Sequence, residues 1–140
     1  MKEALEKFDI LRDLSDDELE GLKWFVEQET LEEGRTVFTP YDEASELILL
    51  VDGQVVLELD GVPVGELGPG SALGGVSLIR IGERACTARA RDTVSILKLS
   101  RESYLRLRAD YPYVALALQE GIVKNLARAL DVVLEREPRE

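Results

Sequence analysis

Residues 46–67, ELILLVDGQVVLELDGVPVGEL, decide the fold. The apolar run Leu47 to Val51 stops at Asp52-Gly53, and a second Asp-Gly pair, Asp60-Gly61, follows eight residues later. Such pairs mark tight hairpin turns, because Gly accepts the positive φ that these turns require. Between them Val55, Leu57 and Leu59 alternate with Val56, Glu58 and Asp60, the period-2 pattern of a strand with one wet face. The stretch therefore predicts three antiparallel strands, Glu46 to Val51, Gln54 to Leu59 and Val62 to Leu67.

Outward in both directions the same punctuation continues, with Glu33-Gly34 and Pro40-Tyr41-Asp42 before and Gly68-Pro69-Gly70 and Gly82 after. It frames further strands at Thr36 to Thr39, Ala85 to Ala90 and Thr93 to Leu99, at roughly the 8–12 residue spacing of an all-β roll or sandwich. Asp42 reads as a turn former. Helices flank this block. Ser15 and Glu18 have capping-box spacing, Leu14 and Leu19 form a hydrophobic staple, and Leu19, Leu22, Phe25 and Val26 make one apolar face, which predicts a helix from Ser15 to Gln28. Residues 2–10 add a shorter helical piece, and Trp24 is expected as a half-buried packing residue. After the strands, Ser100 caps a short helix, Arg101 to Arg108, and Pro112 opens a longer one reaching about Leu134. The expected fold is mainly β with flanking helices: an antiparallel, jelly-roll-like β-roll over residues 1–110 with its N-terminal helix, a short helix within the β region, and a long C-terminal helix over 111–140.

Along that last helix Leu118, Ile122, Leu126, Ala129, Leu130 and Val133 recur at spacings of three and four, a seam about four turns long. Two occupants fit it equally well, the chain's own barrel or a second molecule.

Composition removes whole classes of chemistry. The 140 residues include no His, so Ser-His-Asp and Cys-His nucleophilic sites, His-based zinc sites and metal-binding cupins are excluded. One thiol, Cys86, makes neither an internal disulfide nor a Cys-rich metal site, and reads as a small buried side chain. Carboxylates abound, 28 Asp and Glu, yet no pair is placed by sequence in an apolar pocket that would raise one pKa, so acid–base catalysis has no support and a non-enzyme is expected. A net charge of −11 opposes binding to nucleic acid, and residues 111–140 hold four basic and five acidic side chains, so no phosphate-neutralising patch is present there. No apolar run approaches the roughly 20 residues of a membrane span, and the N-terminus lacks a signal-peptide core, so a cytoplasmic protein is expected.

Residues 68–88 carry the functional signal. A Gly-containing turn followed by a short helix exposes unpaired backbone N–H groups, which suits an anion. Arg84 follows, able to make paired hydrogen bonds to phosphate oxygens, with the amides of Ala85 and Cys86 as further donors. Taken alone, this is a common arrangement.

The order of parts is more specific. Phe8 with Leu11 and Leu14-Ser15, Gly34 before Val37-Phe38, Asp42, Leu47 to Gly53, Leu67 to Gly70, Gly74, Leu78, Arg84 with Thr87, and Leu97 to Tyr104 together resemble the cyclic nucleotide-binding domain family over nearly the whole chain. The resemblance implies a phosphate-binding cassette, which maps onto Leu73-Gly74-Gly75 and Glu83-Arg84-Ala85-Cys86-Thr87. Its ligand-facing residues would be Leu73, Gly74, Gly75, Val76, Arg84, Ala85 and Cys86, and its ligand a cyclic nucleotide or another phosphate-containing molecule.

Two departures alter that expectation. The cassette Glu that holds the ribose 2′-hydroxyl in the family is Gly75 here; a hydrogen bond to a charged group contributes about 1.5–3 kcal/mol, so its loss should weaken cyclic nucleotide binding on the order of ten- to over a hundredfold. The family's Pro is Glu83, a negative charge beside Arg84. The resemblance thus implies a regulatory or sensor domain with an altered or degenerate pocket, signalling through its C-terminal helix to a second copy or a partner protein. In the related transcription factors a helix-turn-helix follows the long helix; the six residues after Leu134 are too few for one, so no direct DNA binding is expected. The alternative is a scaffold that keeps the barrel and binds no ligand.

Overall fold

The structure, a computed structural model, describes residues 2–39, 43–44, 46–73, 82–83 and 86–136, and at 43–44, 82–83, 126 and 128–136 the backbone alone. Asp42 and the expected short helix between Gly74 and Ile81 lie outside the described residues.

The chain opens with α1 (Lys2–Leu5), a 3-10 turn (Asp9–Leu11), α2 (Asp16–Leu22) and a second 3-10 turn (Lys23–Phe25). Ten described strands follow: β1 (Glu27–Leu31), β2 (Thr36–Phe38), β3 (Glu43–Ala44), β4 (Glu46–Asp52), β5 (Val55–Leu59), β6 (Val62–Leu67), β7 (Ala72–Leu73), β8 (Gly82–Glu83), β9 (Thr87–Ala90) and β10 (Val94–Ser100). Helices α3 (Arg101–Asp110) and α4 (Pro112–Arg136) close the chain. One sheet has the order β1-β10-β4-β7, the second β2-β9-β5-β6, and β3 pairs with β8. Every pairing is antiparallel, as the turn spacing predicts.

Both hairpin turns form as their sequence dictates. Asp60 and Gly61 have φ of +51° and +79°, the paired left-handed conformation of the favoured two-residue hairpin. Gly53 has φ +91°, and a Cβ built there would lie 2.5 Å from the carbonyl oxygen of Thr93. The next amide, Gln54 N–H, donates to Asp92 Oδ1 at 2.8 Å, which fastens the β4–β5 turn to the β9–β10 turn.

Strands β4 and β10 explain the continuous apolar run of the opening stretch, for they are buried on both faces. Leu47, Leu49, Leu97 and Leu99 join the helices in one core cluster, while Ile48, Leu50, Val94 and Ile96 join Leu31, Phe38, Val55, Ala88 and Ala90 in another, between the sheets.

The N-terminal capping box is formed: Glu18 N–H donates to Ser15 Oγ, and Ser15 N–H to Glu18 Oε1. The expected helix from Ser15 to Gln28, however, stops at Leu22. Residues 23–25 tighten into a 3-10 turn, and Glu27 already lies in β1, paired with Lys98. Tertiary pairing with β10 overrides helical periodicity here. Trp24 consequently points outward and is 80% exposed, a correction to its expected half-burial; the Lys23 ammonium lies 5.5 Å from its ring centroid.

Helix α4 settles part of the seam question. Leu118 and Ile122 are 0% and 3% exposed, packed in the helical cluster with Ile10 and Leu11. These two expected interface positions are therefore occupied within the chain. Between them Gly121 brings the backbones into contact, since a Cβ there would stand 1.8 Å from the Ile10 carbonyl oxygen. Lys124 Nζ reaches Asp13 Oδ2 at 2.7 Å, and the Gln119 amide donates to the Tyr104 hydroxyl. The side chains of Leu126, Ala129, Leu130 and Val133 lie outside the described residues.

Candidate functional site

The described residues include the edges of the cassette, Leu73, the Glu83 backbone, Cys86 and Thr87, and leave out its middle. Leu73 ends β7, paired with Ile48 of β4 at the edge of the first sheet. Beyond residues 74–81, Gly82 and Glu83 pair with Ala44 and Glu43, and the chain re-emerges at Cys86, directly before β9 in the middle of the second sheet. Gly74, Gly75, Val76, Arg84 and Ala85 lie outside the described residues. The two flanking members of the set converge, for Leu73 and Cys86 are both half-buried and pack against the inter-sheet cluster. Both thus border the same apolar cluster between the sheets.

Leu57, Leu67 and Val37 fringe the same cluster, also half-buried. Sequence reading took Leu57 and Leu67 only as strand residues; nothing in a period-2 pattern tells a core position from a wall left partly uncovered. Further along the hairpin, Leu59, Val62 and Val64 are 50–60% exposed. Half-buried aliphatic side chains at the fringe of a barrel interior can serve as an apolar wall for a ligand.

Charge on the described strands is largely paired. Arg89 Nε lies 3.3 Å from Glu58, Arg91 2.6 Å from Glu66, and Lys98 2.6 Å from Glu29 and 3.7 Å from Glu46. The hydrogen bond that the Lys98 ammonium donates to the Glu29 carboxylate leads in holding its pKa above the ordinary value, against partial desolvation. None of these three cations is left without a carboxylate. Cys86 is a free thiol. Among the described residues no group of three Cys, Asp or Glu is placed to hold a metal ion, and no helix is long and apolar enough to cross a membrane.

The family model for the cyclic nucleotide-binding domain matches residues 28–111, from β1 to the end of α3. The chain belongs to the cyclic nucleotide-binding domain family. The cyclic AMP receptor protein of Thermus thermophilus is 31% identical over 134 residues, covering 90% of this chain and 62% of that protein. A cAMP-dependent protein kinase regulatory subunit of Yarrowia lipolytica is 25% identical over 101 residues, 72% of this chain and 27% of its own length. The chain therefore spans less than two thirds of either curated relative. Among solved structures, the N-terminal domain of a transcriptional regulator from Streptomyces coelicolor superposes with a TM-score of 0.80 at 26% identity, covering 93% of this chain and 94% of that one. A cyclic nucleotide-binding domain is thus present from strand order to helix placement, and the β-roll expected from the turns is the family's fold.

Proposed function

We propose that this domain is a regulatory module whose pocket takes a cyclic nucleotide or a related phosphate-bearing ligand weakly, and whose output is helix α4. The observation that carries the reading is the fringe of the inter-sheet cluster in a cyclic nucleotide-binding domain: Val37, Leu57, Leu67, Leu73 and Cys86 stay half-buried around it, and Leu73 and Cys86 belong to the cassette. Arg84 anchors the phosphate, consistent with carboxylate pairing of Arg89, Arg91 and Lys98 nearby in the strands. Gly75 supplies no carboxylate for a ribose hydroxyl, so affinity is low, and no residue set supports catalysis.

Calorimetric titration of cyclic AMP and cyclic GMP tests this. Arg84→Ala should abolish binding with little change in the melting temperature of the ligand-free protein. Gly75→Glu should raise affinity on the order of ten- to a hundredfold, the worth of a charge-assisted hydrogen bond. No binding by the parent or by Gly75→Glu would overturn the reading in favour of the ligand-free scaffold.

Output through a second copy is proposed on the outer side of α4. Leu116 and Val123, seven residues apart, are 51% and 55% exposed, with Tyr113 82% exposed one turn earlier, whereas Leu118 and Ile122 are sealed inside. Seven-residue spacing of apolar side chains is self-complementary between like helices. A net charge of −11 on each copy opposes the pairing, so association should strengthen with salt. Sedimentation of the parent against Leu116→Glu with Val123→Glu checks it; a parent monomeric at high concentration and high salt would refute the dimer.

A further inference from the structure

Strand β1 lies at the edge of the first sheet and pairs with β10 on one side alone. On its other side every second residue turns its N–H and C=O outward, and these groups meet no backbone partner among the described residues. Such an edge is a template for another extended chain. Trp24 stands three residues before it, 80% exposed. The Lys23 ammonium lies 5.5 Å from the ring centroid and is itself held by Glu20 at 2.6 Å, so the ring already attracts one cation. Charge is concentrated in the same segment. Between Arg12 and Arg35 the chain holds nine of its 28 acidic side chains and one of its 17 basic ones, Lys23, so most of the net charge of −11 arises here. Asp13, Asp16, Glu20 and Glu29 are ion-paired with Lys124, Lys2, Lys23 and Lys98, Glu27 faces Lys98 across the ladder, and Glu18 serves the helix cap. Asp17, Glu32 and Glu33 form no ion pair among the described residues.

We infer that the free edge of β1 docks an extended basic segment of a partner protein, which adds a strand to the sheet and seats an Arg or Lys on Trp24. In strand addition the main-chain hydrogen bonds hold the segment, and alternate side chains give the specificity. Glu27 and Glu29 lie two apart on one face of β1, so the segment that fits carries basic residues at alternate positions. The face of a Trp is the best aromatic seat for a guanidinium or an ammonium. A second copy of the chain does not fit, because its own β1 would bring further Glu side chains against Glu27 and Glu29. The same charge turns away nucleic acid and anionic lipid. Nothing in this docking requires a ligand in the barrel, so it stands independently of the function proposed above.

Trp24 is the chain's single tryptophan, so its emission reports on the site directly. The probe is a peptide of about ten residues alternating Arg and Thr, titrated into the intact chain at low salt. Its control is the same peptide with the N–H groups of four central residues methylated, which keeps the charge and removes the donors that a strand needs. The expected result is saturable binding that shifts Trp24 emission, weakens as salt rises, and is about tenfold or more tighter than for the methylated control. Amide hydrogen exchange should slow within residues 27–31. Trp24→Ala removes an exposed side chain and should melt with the parent, yet weaken binding about two- to fivefold, and Glu27→Gln should weaken it by a similar factor. Equal binding of the two peptides would show charge attraction without strand addition and overturn the inference. Binding that leaves Trp24 emission unmoved and is unchanged in Trp24→Ala, or no binding at low salt, would overturn it as well. Protection of the β1 amides that rises with chain concentration in the absence of peptide would assign the edge to a second copy, and the inference would fail.

Discussion

On the helical side of strands β4 and β10, Leu47, Leu49, Leu97 and Leu99 are at most 2% exposed, and the cluster they share with α1, α2, α3 and α4 is sealed along Leu5, Phe8, Leu22, Tyr104, Leu107 and Leu118. On the barrel side of the same strands Ile48, Leu50, Val94 and Ile96 are equally buried, but their cluster runs out into the half-buried Val37, Leu57, Leu67, Leu73 and Cys86. The same pair of strands thus faces two cores, each fringed by half-buried apolar side chains, Phe25, Val26, Val51, Ala72 and Ala117 on the helical side and the five just named on the barrel side. Only the barrel-side fringe holds cassette residues, Leu73 and Cys86. The helical-side cluster is the larger of the two, and under the function proposed above a ligand would add burial on the barrel side.

Truncations that sample the two sides should separate most widely. Leu49→Ala and Leu118→Ala remove side chains 1% and 0% exposed from the sealed cluster, and each should cost about 2–5 kcal/mol by denaturant unfolding. Gly121→Ala comes next. The added methyl meets the Ile10 carbonyl, a backbone atom that a rotamer change cannot move, so about 1–3 kcal/mol of overpacking is expected as a lowered melting temperature. A neutral Gly121→Ala would mean that α4 and the N-terminal turn do not cross this closely.

On the barrel side Leu57→Ala should cost the ligand-free protein about 1–2 kcal/mol, less than the fully buried truncations, because the side chain is only partly buried and gives up less apolar contact. Its effect on cyclic nucleotide affinity should exceed its effect on stability. The opposite order would place Leu57 in the structural core and remove the distinction between the two sides.

This contrast also explains what could be read in advance. The hairpins at Asp52-Gly53 and Asp60-Gly61 were legible because positive φ selects a few residue types, and the capping box at Ser15 because its hydrogen bonds are local. The end of α2 was not. Phe25 and Val26 fit a helical stripe as well as they fit the approach to a strand, and only pairing of Glu27 with Lys98, 71 positions away, decides between them. The α4 seam was legible as apolar but not as to its occupant, since Leu118 and Leu116 look alike in sequence and differ only in which side meets Ile10 and Leu11. In the site, Leu73 ends β7 and Cys86 precedes β9, both half-buried, while Gly74, Gly75, Val76, Arg84 and Ala85 lie outside the described residues. Leu57 and Leu67 carried no signal distinguishing wall from core.

The smallest expected effect concerns the end of the barrel-side strip, where Val94 and Ile96 give way to Lys98 on the same face of β10. Its ammonium is held by Glu29 at 2.6 Å and approached by Glu46 at 3.7 Å, both from neighbouring strands. The hydrogen bond it donates to Glu29 is the main cause of its raised pKa. A base whose pKa is higher in the folded state contributes stability that is complete below the unfolded value, about 10.4, and is lost as pH rises through the folded value. Glu29→Gln should therefore unfold more easily than the parent by an amount that is flat between pH 6 and 9 and shrinks in alkali above about pH 10.4. The partners are partly exposed, so the flat difference should stay below about 1 kcal/mol and fall with added salt. A difference that instead grew toward high pH would show that the ammonium is worth less beside Glu29 than in water, making the end of the barrel side a strained closure rather than a favourable one.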